Sequence, residues 1–336
     1  MKILYKILFG TALMLLLVAS CAKEQHTTFS GEDATLTLNV GTRAGEELGD
    51  PEDRYINSLR VIGYNTADGQ LAFNEKVLGI PTASTDNDDA FERTINVKTG
   101  NFTIIFIANE HETPATSALL EGITSSNNNT LSYLKTSVSF PHQAFDAGKD
   151  IPMVTVKENI TIQGDDMVVD PDSPTPTAVL NKWPVSMERL GIRIDLTLQL
   201  LEVQREAWQN DDGKVYFSNV PDKVFLFPGT ANAPGTIDKT YTMLDYDNDT
   251  KTVFNSPRII LPEVYLSGLT KSDALTMMVK APTEFKGAIS PDGGTTYALR
   301  RNTRLGVTAQ VGEMGLTFNI IVEEWVDEDM GGHELQ

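Results

Sequence analysis

The chain has 336 residues, 40% of them apolar, and a formal net charge of −19 at pH 7. That length and apolar content exclude a disordered chain or one small sandwich, and suit two domains with cores of their own. The acid excess excludes a nucleic-acid partner, since a phosphate backbone repels it, and a single Cys excludes a disulfide framework.

The chain opens with a basic start at Lys2 and Lys6, an apolar run over residues 7–18, and Ala19-Ser20-Cys21. The run is shorter than the roughly 20 residues of a membrane-spanning helix, so residues 1–21 read as a signal peptide. Leu17-Val18-Ala19-Ser20-Cys21 is similar to a bacterial lipobox, in which the Cys becomes the lipidated first residue of the mature chain. With Cys21 acylated, no thiol remains for a disulfide, a zinc site or a nucleophile. Residues 22–32 are mostly polar and read as a tether.

From residue 34 to 40 the side chains alternate strictly, with Ala34, Leu36, Leu38 and Val40 apolar and Thr35, Thr37 and Asn39 polar. A period of two marks a strand with one face in a core. The first strand is therefore expected over residues 34–42, with Leu36, Leu38 and Val40 on its buried face. Thr42-Arg43-Ala44-Gly45 follows as a small, flexible stretch. An exposed Arg43 there is within reach of a trypsin-like protease, which would cut between Arg43 and Ala44, and Arg54 is the fallback site.

Residues 56–65 read as a strand with Leu59 and Val61 on one face and Arg60, Ile62 and Tyr64 on the other. Asp68-Gly69 signals a hairpin into 71–78. Phe91, Arg93, Ile95 and Val97 share a face of the next strand, and Thr99-Gly100 turns into 102–108, apolar on both faces and so expected at a sheet centre. Short helices are expected around Leu120 and Leu134, and strands over 151–156 and 160–162. Residues 170–176, rich in Pro and Asp, form the clearest linker. Behind it Leu190, Ile192, Ile194, Leu196 and Leu198 alternate with smaller or polar residues. Strands follow over 215–217, 224–227, 259–261, 275–279, 305–311 and 316–326, with a long loop over 230–240. The fold class is all-β with minor helix: two antiparallel β-sandwich domains, residues 22–184 and 185–336.

Few residues point to chemistry. His26, His111, His142 and His333 are scattered without metal spacing. The acidic run Asp245-Tyr246-Asp247-Asn248-Asp249 lacks the Gly and Glu of a calcium loop and reads as a solvated turn, as do residues 86–89 and Asp165-Asp166. With no phosphate loop and no nucleophile motif, neither an enzyme, a cofactor nor a metal is expected. Of the three Trp residues, Trp325 falls in a strand pattern, and Trp208, near the turn at Asp211-Asp212-Gly213, is the candidate for stacking on a glycan.

Several marks recur together: the lipobox at Cys21, the strand ending at Thr42-Arg43, and Ile56-Asn57-Ser58-Leu59-Arg60-Val61. Gly100-Asn101-Phe102 leads to Ile107-Ala108-Asn109, Met187-Glu188-Arg189-Leu190 opens the second half, and Arg301-Asn302 and Val322-Glu323-Glu324-Trp325 come near the end. In their order and spacing the chain resembles the fimbrillins of the Bacteroidales, the subunits of type V pili. The resemblance implies two transthyretin-like sandwiches and a precursor held in the outer membrane through Cys21. It further implies that an Arg-specific protease cuts at the position of Arg43 and that the first strand leaves. A strand from the C-terminal segment of another subunit then takes its place, giving a head-to-tail fibre that supports adhesion. The acidic, Gly-containing tail 327–336 fits a tip or accessory subunit better than a shaft subunit. The alternative is a membrane-retained lipoprotein of tandem β-sandwiches that binds glycans through Trp208.

Overall fold

The computed structural model describes residues 31–42, 55–77, 90–173, 182–210, 212–228, 234–243, 252–264, 269–313 and 315–324. Strand β1 (Asp33–Thr42) lies where its alternation puts it, with Ala34, Leu36, Leu38 and Val40 all buried. It runs antiparallel to β4 (Ala90–Lys98), from Asp33 opposite Lys98 to Gly41 opposite Ala90. Its other edge is parallel to β9 (Trp183–Arg189), but only from Leu38 to Thr42. The path continues through β7 (Met153–Gly164), β5 (Gly100–Ala108), β2 (Leu59–Asn65) and β3 (Leu71–Val77), with the short β8 (Met167–Val169) beside β7.

β9 is the corner of this sheet. Residues 183–187 pair with β1, while Glu188 and Arg189 pair with Val154 and Met153 of β7. A strand shared in this way folds one sheet across itself, and Trp183 of β9 meets Phe106 of β5 edge-on at 5.3 Å. Strand β5 is central, between β2 and β7, and residues 102–108 are buried on both faces. Ile105 and Ile107 face a second cluster with Leu120, Leu134 and Phe140, carried by the helices Pro114–Glu121 and Leu131–Ser137 and by β6 (Ser139–Pro141). The hairpin from β2 to β3 turns at Asp68-Gly69, where Gly69 takes φ 67° and donates to the Asn65 carbonyl at 2.8 Å.

The second half begins with β10 (Gly191–Gln199), parallel to β18 (Thr303–Val311) on one edge and antiparallel to β14 (Val253–Asn255) and β15 (Ile259–Pro262) on the other. β19 (Leu316–Glu324) closes this sheet beyond β18. A four-stranded sheet, β13 (Thr236–Thr242), β11 (Lys214–Pro221), β16 (Thr276–Lys280) and β17 (Glu284–Ala288), faces it across a core of Ile192, Ile194, Leu196, Phe217, Met277 and Val307. β12 (Lys223–Phe225) pairs with β6, so the two halves share a two-stranded seam.

Four expectations change. The boundary expected at 184/185 falls inside β9, and the chain leaves the first sheet at Leu190 because residues 188 and 189 still pair with β7. The two strands expected over 151–162 are one, β7, because a bulge around Asn159 (φ 58°) keeps the ladder going. Part of the loop at 230–240 is β13, a strand whose exposed and half-buried residues alternate without the apolar run that would have signalled it. Arg60, placed on a mixed face, is 3% exposed, since Glu110 takes its Nε and Nη2 at 2.7 Å each.

Candidate functional site

The slot that holds β1 is built from three sides. Successive N–H groups of a strand point to opposite edges, so those of Thr35, Thr37, Asn39 and Gly41 face the β9 side. β9 reaches only the last two. For the first two, the turn between β7 and β8 stands in for a strand. Asp165 Oδ1 accepts from the Thr35 N–H at 2.8 Å and the Thr35 hydroxyl at 3.1 Å, and Asp166 Oδ1 accepts from the Thr37 N–H at 2.6 Å. Asp166 N–H in turn donates to the Thr35 carbonyl at 2.8 Å, from a left-handed φ of 51°.

The floor of the slot is apolar and fixed. Trp183, opposite Leu38, is 1% exposed, and its Nε1 donates to Asp170 at 2.9 Å. Lys157 lies 3.2 Å from the same carboxylate. Outside, Lys182 and Glu92 form a 2.6 Å ion pair between the strands that flank β1, and Lys98 pairs with Asp33 at its start. Burial of Leu36, Leu38 and Val40 contributes about 4.5–9 kcal/mol, at about 1.5–3 kcal/mol per side chain. Removing β1 would expose that surface together with the unpaired edges of β4 and β9, a template for another strand.

The other recurring sequence marks brace this frame. Asn109, in the left-handed region at φ 63°, accepts from the Asn57 N–H and donates to the carbonyls of Tyr55 and Ile151, locking the chain before β2 to the end of β5. Arg301 pairs with Glu263 and reaches the carbonyls of Phe225 and Leu226, while Asn302 N–H is shared by the carbonyls of Arg189 and Gly191. Those contacts hold the point where the chain passes from β9 to β10.

Of the residues singled out in the sequence, Leu36, Leu38 and Val40 come together on one buried face. Cys21, Arg43, Ala44, Arg54, the run 245–249, His26, His333 and Trp325 lie outside the described residues. Trp208 is not a platform for a sugar. It is 2% exposed, tilted against Phe254 at 4.4 Å, and its Nε1 donates to the Lys214 carbonyl. The helix Glu202–Gln209, too short to show a period in the sequence, turns it into the core.

The fold also joins groups that are far apart in sequence. His111 Nε2 lies 3.2 Å from Asp150 and 3.7 Å from Glu112, with Ser58 on its Nδ1, Asn57 on Asp150 and Lys149 on Glu112. This network ties the turn after β5 to the loop before β7. At the seam between the halves, burial holds the His142 imidazole below its ordinary pKa; Lys239 adds to the effect, and Asp146 and Asp222 oppose it. Burial likewise pushes the Tyr64 and Tyr241 hydroxyls well above their usual range.

Residues 34–189 match the family model of the major fimbrial subunit protein FimA, a span that runs from the second residue of β1 to the last of β9. Over that span, a little under half of the chain, the sequence is similar to the fimbrillin family. The tip fimbrial protein Mfa3 from Porphyromonas gingivalis, solved with a C-terminal truncation, is 13% identical at a TM-score of 0.54, over 88% of this chain and 100% of that one. A Parabacteroides distasonis protein is 14% identical at a TM-score of 0.53, over 89% and 98%. A fimbrial assembly protein from Parabacteroides distasonis is 11% identical at a TM-score of 0.50, over 87% and 99%. At such identities the likeness is one of fold. A search of curated proteins found no match. Among the described residues the chain is mostly β, as these proteins are.

Proposed function

We propose that this chain is a fimbrillin with a structural role in cell-surface fimbriae, made as a lipoprotein acylated at Cys21, held in the outer membrane, and assembled by protease-triggered strand exchange. An Arg-specific protease cuts between Arg43 and Ala44, β1 leaves, and the C-terminal segment of another subunit enters the slot. The contact is head to tail and does not close on itself, so repetition gives a fibre. Until the cut, β1 keeps the monomer from polymerising. The part played is structural and adhesive rather than catalytic.

One observation carries the reading: β1 lies between two strands from elsewhere in the chain, with its apolar face wholly buried, immediately before the candidate cut. A strand so placed is both a plug and, once gone, a vacancy that only another extended segment can fill. Incubating the full precursor with an Arg-specific protease should give a new N-terminus at Ala44, then ladders of subunits on a gel. A chain that stays uncut, or is cut there and stays monomeric at high concentration, sinks the proposal.

A further inference from the structure

We infer that the Asp165-Asp166 turn is the register clamp of the slot, selecting how any strand that occupies it is aligned. The inference rests on the strand-exchange reading and says which partner residues the slot recognises. β4 offers the occupant a uniform backbone ladder, which by itself allows sliding by two residues, since a two-residue slip keeps apolar side chains inward. β9 begins opposite Leu38 and adds a backbone ladder of the same kind. The turn is different. It holds two carboxylate oxygens and one N–H at fixed places, and all three are engaged by residues 35 and 37 of β1. An occupant must therefore run parallel to β9 and present free N–H groups at two alternate residues, which excludes proline at either. A hydroxyl at the first of them gains the extra bond that Thr35 makes to Asp165.

The segment of a second copy that fits is Leu316–Glu324. Leu316, Phe318, Ile320 and Val322 alternate as Ala34, Leu36, Leu38 and Val40 do, and Thr317 and Asn319 then fall where Thr35 and Thr37 sit. In its own subunit this segment is an edge strand. It pairs with β18 and, among the described residues, with no strand beyond, while Ile321 is 58% and Val322 46% exposed. A slip by two residues in either direction would put Gly315 or Asn319 on Asp165 and forfeit the hydroxyl bond.

The test uses the full chain, nicked by an Arg-specific protease, and fluorescent peptides of residues 31–43 and 315–326 that compete for the slot. N-methylation deletes one backbone donor at a time without touching the protein. At Thr35 or Thr37 of the first peptide, and at Thr317 or Asn319 of the second, it should weaken uptake about 10–100-fold, as expected for a hydrogen bond to a charged group. In Asp165→Ala the penalty at Thr35 and Thr317 should vanish. In Asp166→Gly, a residue suited to the left-handed turn, the penalty at Thr37 and Asn319 should vanish. N-methylation at Asn39 or Ile321, which face β9, should cost the same in every background. If either variant fails to fold, Asp165→Asn and Asp166→Asn keep an acceptor and should return an intermediate penalty. Uptake of both peptides with penalties indifferent to the two Asp changes overturns the clamp and leaves strand exchange standing. Sensitivity at other residues of 315–326 overturns the register, and no uptake of either peptide overturns strand exchange and the clamp with it.

Discussion

Strands β1 and β10 are near twins in sequence and opposites in attachment. Both alternate apolar and polar side chains, both bury one face completely, and both have a parallel neighbour on one edge and an antiparallel one on the other. β10, however, pairs with β18 along eight consecutive residues, from Ile192 to Gln199, and is held at its start by Asn302. β1 meets β9 over only its last five residues, Leu38 to Thr42, and two carboxylates complete the rest of that edge. The same periodicity thus serves one strand paired along the length of its parallel edge and another paired along only part of it. Attachment at the ends, rather than apolar content, separates them.

The largest effect should come from cutting both cores. Leu38→Ala and Leu196→Ala each remove a buried side chain and should each cost about 2–5 kcal/mol in urea unfolding of the intact chain. After cleavage at Arg43 and loss of β1, the Leu38 change should cost nothing and the Leu196 change should cost as much as before. Equal effects after cleavage would erase the distinction between the two strands. Next, Asp170→Leu strips the acceptor from Trp183 Nε1, which is buried in the wall of the slot. A loss of about 1–3 kcal/mol is expected, the same with β1 present or absent, because the bond belongs to β9.

A smaller effect is expected at the seam joining the halves. Burial lowers the His142 pKa in the folded chain, so the unfolded chain binds the extra proton as pH falls. Stability should be unaffected well above pH 6.5, the ordinary value, and should decline as pH drops through it toward the lower folded value. Unfolding midpoints across pH 8 to 5 should show a slope of less than about one proton, flattened by His142→Gln. The smallest effect should follow Lys182→Ala. The ion pair to Glu92 is more than half exposed on both sides, and surface pairs contribute about 0–1 kcal/mol, less in high salt. Strand exchange in that variant should run at the wild-type rate within a factor of about two.

What the sequence determined by itself is whatever depends on neighbours a few residues away. The alternation at 34–40 and at 190–198, the hairpin at Asp68-Gly69, the doubly apolar β5 and the all-β class follow from side-chain period and turn chemistry. Where period was silent, the reading lost its hold. β13 has no apolar run, the helix that carries Trp208 is two turns long, and β9 keeps pairing past the boundary expected at 184/185. Only the tertiary structure decided which strands flank β1, that Glu110 would neutralise Arg60 in the core, and that Asp165 and Asp166 would complete an edge 130 residues away in sequence. Such contacts are set by how a sheet folds over itself. An acidic turn looks the same in a sequence whether it faces water or a strand.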